Sequence, residues 1–97
     1  TYDILTSDKK IHDDYRIKYL KEHIDQIGKC IDEGIPVIGY TSWGCIDIVS
    51  AGTSERSKRY GYIYVDADDY GQGTWKRYKK DSFYWYKKVI ESNGNVL

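Results

Sequence analysis

Four residues in the middle of this chain are of types that together can hold a ligand with an apolar face and an anionic end: Trp43, Ser50, Lys58 and Tyr60. They lie in the stretch GYTSWGCIDIVSAGTSERSKRY, Gly39 to Tyr60, where an apolar run feeds a loop of small residues, hydroxyls and cations. A Trp offers a broad flat apolar surface, which suits the apolar face of a sugar. Ser and Tyr hydroxyls can donate hydrogen bonds, and Lys is a movable point charge that suits phosphate. The plainer reading of the same residues is a core Trp followed by a solvated basic loop.

Something must position these side chains. Residues 1–12 are polar and aperiodic and read as a loop. Asp13 and Asp14 then offer an N-cap, and Ile17, Leu20, Ile24, Ile27 and Ile31 recur at spacings of three and four. That pattern predicts an amphipathic helix near 14–33, stopped by Gly34 and Pro36. The next run, IPVIGYTSW, is almost continuously apolar, which suits a strand covered on both faces, as in parallel α/β sheets. Tyr60–Val65 and Thr74–Tyr78 read as a hairpin joined by an acidic, Gly-bearing turn. Asp81 or Ser82 caps a last helix with Phe83, Tyr86, Val89 and Ile90 as its buried stripe, ended by Asn93-Gly94.

This order is not a closed architecture. A doubly covered strand needs neighbours on both edges, and a short hairpin cannot supply them, so unpaired edges make self-association an expectation. Residues 1–97 therefore read as one part of a larger β/α protein and not as a complete domain.

Composition narrows the function. At 97 residues there is room for one small domain. Fifteen basic and fifteen acidic side chains cancel. That is not the strongly basic body of a general nucleic-acid binder, and no nucleic-acid partner is expected. The cation-rich run Lys76-Arg77-Tyr78-Lys79-Lys80 reads as a solvated hairpin leading into a helix. No apolar run reaches the ~18 residues of a membrane span, so no membrane partner is expected. Cys30 and Cys45 lack metal or redox spacing and read as reduced, packed thiols. The turn Asp66-Ala67-Asp68-Asp69-Tyr70-Gly71 echoes a calcium loop, but Arg77 stands where a bidentate Glu belongs, so no metal is expected. Gly71-Gln72-Gly73 is no dinucleotide fingerprint. His12 and His23 read as surface or helix-packing residues.

Three stretches carry a resemblance: IHDDYRIKYLKEHI, GYTSWGCIDIVSAGTSERSKRYGYIYVD and KKDSFYWYKKVI. In these the chain resembles the C-terminal part of glycoside hydrolase family 1, in its bacterial 6-phospho-β-glucosidase branch. The family's Trp-Ser-x-x-Asp after the eighth barrel strand stands here as Trp43-Gly44-Cys45-Ile46-Asp47. Members acting on unphosphorylated sugars carry Glu-Trp where this chain has Ser50-Ala51. Loss of that carboxylate removes a charge that would repel a 6-phosphate. The branch's phosphate motif, Ser followed by Lys-x-Tyr, matches Ser50, Lys58 and Tyr60, with the Ser-to-Lys spacing one residue longer than in phospho-galactosidases. Ala51 leans the preference toward gluco.

The resemblance implies the seventh helix, eighth strand, hairpin-bearing loop and eighth helix of a (β/α)8 barrel. It implies hydrolysis of 6-phospho-β-glucosides in the cytoplasm, with retention and without a cofactor, the partners being that substrate and the remainder of the barrel. Trp43 would stack under the sugar, and Ser50, Lys58 and Tyr60 would bind the phosphate. It also implies a cis peptide after Trp43. The family's two catalytic Glu residues lie in Asn-Glu-Pro and Glu-Asn-Gly motifs. Neither motif occurs in this chain, which would start just past the second, so no catalytic residue is assigned in it and the 97 residues alone are expected to be inactive. The alternative is an independent aromatic-rich binding module.

Overall fold

The computed structural model describes residues 3–97 and contains two helices, α1 (Asp14–Asp32) and α2 (Asp81–Glu91), and two short strands, β1 (Ile63–Val65) and β2 (Arg77–Lys79). The strands pair antiparallel with Tyr64 opposite Tyr78. The ladder is prolonged by Asp66 N–H to the Lys76 carbonyl (2.9 Å) and Lys80 N–H to the Tyr62 carbonyl (3.0 Å). Both helices and the hairpin fall where the sequence predicts them, except that the second strand, expected over Thr74–Tyr78, is displaced to Arg77–Lys79.

The helix starts differ in an instructive way. Asp13 occupies the N-cap position of α1, yet its side chain makes no capping bond there. Its carboxylate instead accepts the Ser82 N–H at 2.9 Å, at the start of α2. Asp13 thus serves across the tertiary contact the role that Asp81 or Ser82 is expected to serve locally. Asp81 turns outward and meets His12 Nδ1 at 2.7 Å, which raises the His12 pKa above its ordinary value. The N-cap position of α2 falls to Lys80.

The expected apolar stripes are only partly covered. On α1, Leu20 is buried while Ile31 is exposed; on α2, Val89 is buried while Ile90, expected inside, is exposed. The core gathers where the helices approach the hairpin: Ile11, Leu20, Tyr62, Tyr64, Val65 and Val89. Tyr62 stacks on Tyr86 with ring centroids 5.1 Å apart.

The doubly covered strand is the main difference. Residues 35–45 form no ladder among the described residues, and Ile38 is fully exposed. A strand is defined by its partners, and no second strand lies beside this one. Among the described residues, pairing begins just past its far end, with a parallel bridge between Ile46 and Ile63. Cys45 is exposed and Cys30 half-buried, both as free thiols, so Cys45 is not packed as expected.

That bridge depends on Gly61. A Cβ there would stand 2.2 Å from the Ile46 carbonyl carbon and 2.7 Å from the Asp47 nitrogen, both backbone atoms that cannot swing aside. Without it, Tyr62 N–H reaches the Cys45 carbonyl and Asp47 N–H the Ile63 carbonyl, each at 3.0 Å. Gly61→Ala is therefore expected to destabilise the fold by about 2–3 kcal/mol, as overpacking does, seen as a lowered urea midpoint at unchanged slope.

Candidate substrate-binding site

An open cleft of about 640 Å³ lies between the first turns of α1, the segment 40–43 and the segment 58–62. Trp43, Lys58 and Tyr60 line it together with Tyr15 and Tyr19 of α1 and Tyr40. Trp43 is 65% exposed, so its ring is presented and not packed away. The tyrosine wall was not assigned to the site by sequence. Its signal was the excess of Tyr, eleven in the chain, without a position attached.

Ser50 does not line this cleft. It is buried, and its backbone closes the loop that follows: Ser50 N–H donates to the Glu55 carbonyl (2.9 Å) and Ser54 N–H to the Ser50 carbonyl (2.8 Å). Beyond that turn the loop is held against the hairpin turn. Asp69 Oδ1 accepts the Arg56 and Ser57 amides at 2.7 and 2.8 Å, and Asp69 Oδ2 accepts the Ser57 hydroxyl at 3.0 Å. The other two cations of the loop are drawn aside. Arg56 lies over the Trp75 ring at 4.6 Å, and Arg59 lies over Tyr64 at 4.5 Å while donating to the Ala67 carbonyl at 2.9 Å. Lys58 has neither attachment and is left to the cleft.

The turn that receives these contacts is itself internally bonded. Asp66 Oδ2 accepts the Thr74 hydroxyl at 2.6 Å, and Asp68 Oδ1 accepts the Tyr70 and Gln72 amides at 2.9 and 2.8 Å. Gly73, at φ +144°, brings the chain so near Asp66 that a Cβ would stand 2.2 Å from its carbonyl oxygen. The acids of the calcium-loop echo are thus occupied with backbone and hydroxyl donors.

Beneath the site runs a buried ionic network. Lys80, read from sequence as a solvated cation, is completely buried. Its ammonium donates to Asp47 Oδ1 and to the Gly61 carbonyl, each at 2.7 Å, and to Asp3. Asp47 also accepts the Gly61 amide at 3.1 Å, and its other oxygen lies 3.6 Å from Arg59 Nε. Arg16 joins Asp13 (2.5 Å), Asp3 and the Arg59 carbonyl (2.6 Å). The two carboxylates on Lys80 respond in opposite directions. Burial pushes the Asp47 carboxyl above the usual range despite the Lys80 hydrogen bond. Burial also opposes the charge on Asp3, but hydrogen bonds from Lys80 and Tyr15 outweigh it and hold that carboxyl below the usual range. Tyr15, half-buried and donating to Asp3, has its phenol pushed up. The fifth residue of the Trp43-to-Asp47 motif therefore locks the loop below the cleft. No cis peptide occurs among the described residues, so the bond after Trp43 is trans, contrary to what the resemblance implies.

The glycosyl hydrolase family 1 model matches residues 2–95. The chain belongs to glycosyl hydrolase family 1. Its relatives include the 6-phospho-beta-glucosidase AscB of Escherichia coli (strain K12), 59% identical over 98% of this chain and 20% of that protein. The aryl-phospho-beta-D-glucosidase BglA of Bacillus subtilis (strain 168) is 57% identical over the same shares. The solved family 1 β-glucosidase of Thermotoga maritima superposes with a TM-score of 0.83 at 44% identity, covering 95% of this chain and 19% of that one. The chain thus spans about a fifth of the length of the relatives it matches. Its fold is a segment of the family 1 (β/α)8 barrel. In that architecture residues 35–43 correspond to the eighth strand, whose ladder partners are other strands of the barrel, which explains why they run unpaired here.

Proposed function

We propose that this family 1 segment belongs to a 6-phospho-β-glucosidase that acts in the cytoplasm, hydrolysing 6-phospho-β-glucosides with retention and without a cofactor. The observation that carries the reading is the meeting of Trp43, Lys58 and Tyr60 at one cleft, with Arg56 and Arg59 held away from it. The Trp43 ring stacks under the sugar, and the Lys58 ammonium and Tyr60 hydroxyl bind the 6-phosphate as charge-assisted donors. Ser50 completes the phosphate set on the strength of its place in the motif, although it lies outside the cleft. Residues 1–97 are one part of a single barrel domain, and the remainder of that barrel is their partner. Retention requires an acid/base and a nucleophilic carboxylate roughly 5–5.5 Å apart, and these come from the rest of the barrel. The 97 residues alone are inactive in this reading. An independent binding module is not favoured, because the family match runs almost from end to end.

The direct test is a full-length barrel carrying these residues as its C-terminal segment, assayed on chromogenic 6-phospho-β-glucoside and on plain β-glucoside. We expect kcat/KM to favour the phosphorylated substrate by about a hundredfold or more, the scale of a charge-paired phosphate. Equal turnover of the two would refute the assignment.

A further inference from the structure

The loop that carries Lys58 presents three cations within four residues, Arg56, Lys58 and Arg59. Left free, such a loop would sample many conformations, and a phosphate would have to order it at the moment of binding. The structure instead fixes the loop on both sides of Lys58. Before it, the Asp69 carboxylate takes the amides of Arg56 and Ser57 and the Ser57 hydroxyl. After it, Arg59 is fastened to the Ala67 carbonyl and the Tyr64 ring. Asp69 is the only one of the turn's three acids that reaches across, since Asp66 and Asp68 are bonded within the turn. Hydrogen bonds from Ser57 and Arg56 hold its carboxyl below the usual range. It is therefore ionised at neutral pH.

We propose that Asp69, which touches no substrate, is a positioning residue for phosphate recognition: it fixes the 56–57 backbone so that Lys58 is already aimed into the cleft. This rests on the reading of Lys58 as a phosphate ligand. It adds that the acidic hairpin turn, remote from the cleft in sequence and not part of it, sets how strongly phosphorylated substrates are preferred. Such a residue acts on binding of the phosphorylated substrate and not on the bond-breaking step.

The test uses the full-length barrel carrying this segment, with Lys58→Ala as the benchmark. Asp69→Ala is expected to raise KM for the 6-phospho-β-glucoside about tenfold at nearly constant kcat, so that the phosphorylated-to-plain preference falls by the same factor. Asp69→Asn keeps an acceptor for both amides and is expected to recover the preference to within about threefold of the parent. In a Lys58→Ala background, Asp69→Ala should change the preference less than about twofold, because the group it positions is gone. A preference that survives Asp69→Ala while Lys58→Ala abolishes it overturns the inference and leaves the phosphate reading intact. If Lys58→Ala itself leaves the preference unchanged, the phosphate reading fails first. Equal losses of kcat on both substrates would mark Asp69 as merely structural and also overturn the inference. Should Asp69→Ala not fold, Ser57→Ala decides: it removes the hydroxyl bond alone and should lower the preference about twofold to threefold, and no change would overturn the proposal.

Discussion

Lys58→Ala, made in a full-length barrel carrying this segment, is expected to cut kcat/KM for 6-phospho-β-glucosides by roughly a hundredfold, about 3 kcal/mol, while plain β-glucosides lose little. The magnitude follows from what the ammonium does. In a cleft walled by tyrosines, it is the one lining cation among the described residues with no ion pair or aromatic contact: Arg16, which also lines the cleft, is paired with Asp3 and Asp13, and Arg56 and Arg59 stand over aromatic rings. Removing it leaves a dianionic phosphate facing hydroxyls alone, and charge-assisted bonds are about twice as strong as neutral ones. Lys58→Arg should restore only part of the loss. The planar guanidinium keeps the charge but places it differently from the compact ammonium at the end of its four-carbon stem. Steady-state kinetics on the two substrates check both variants, and an unchanged preference in Lys58→Ala would remove the phosphate assignment.

The largest effect on stability is expected from Lys80→Met. The substitution roughly keeps the volume and removes the charge, leaving Asp3 and Asp47 facing each other in the interior. Breaking a buried pair by deleting one partner costs about 3–5 kcal/mol, because the remaining charge stays desolvated. The pH dependence has a definite sign. In the parent, Asp3 has a depressed folded pKa, so its contribution is present above the ordinary carboxylate value and is lost as pH falls through the depressed one. Asp47 is already raised by burial in the parent, so protonating it favours the fold as pH falls through that raised value. Without Lys80 both carboxyls lose their main charge-stabilising donor, and their folded pKa values rise from those of the parent. The variant's deficit should therefore be largest near neutral pH and shrink on acidification as the acids take up protons. Urea midpoints at neutral and mildly acid pH measure this, and a deficit that does not depend on pH would contradict the buried-charge account.

How much of this was legible in the residues differs from element to element. The apolar spacing from Ile17 to Ile31 located α1, and the aromatic-rich pairs around an acidic turn located the hairpin, because those signals are local. The motif from Trp43 to Tyr60 carried the family and the candidate ligands. Burial was read less well. Ile31 and Ile90 sit on correctly predicted helices but remain exposed, since a helix's own period says which face is apolar and not what covers it. The strand expected at 35–43 stands without a ladder partner for the same reason.

Lys80 shows the limit most plainly. In a run of cations it read as solvated, yet it stands between β2 and α2 with its ammonium completely buried. What the sequence by itself determined was local: two helices, a hairpin, and a spacing of Trp, Ser, Lys and Tyr with the family that spacing belongs to. Only the tertiary structure decided that Asp13 caps a helix 69 positions away, that Lys80 binds Asp3 across 77 positions, and that Asp69 holds the loop carrying Lys58. The reason is physical. Periodicity and propensity report the energy of a residue with its near neighbours in the chain. A buried ion pair is stable only where the fold has brought its partner, excluded water and filled the remaining lone pairs, and no short stretch contains that information.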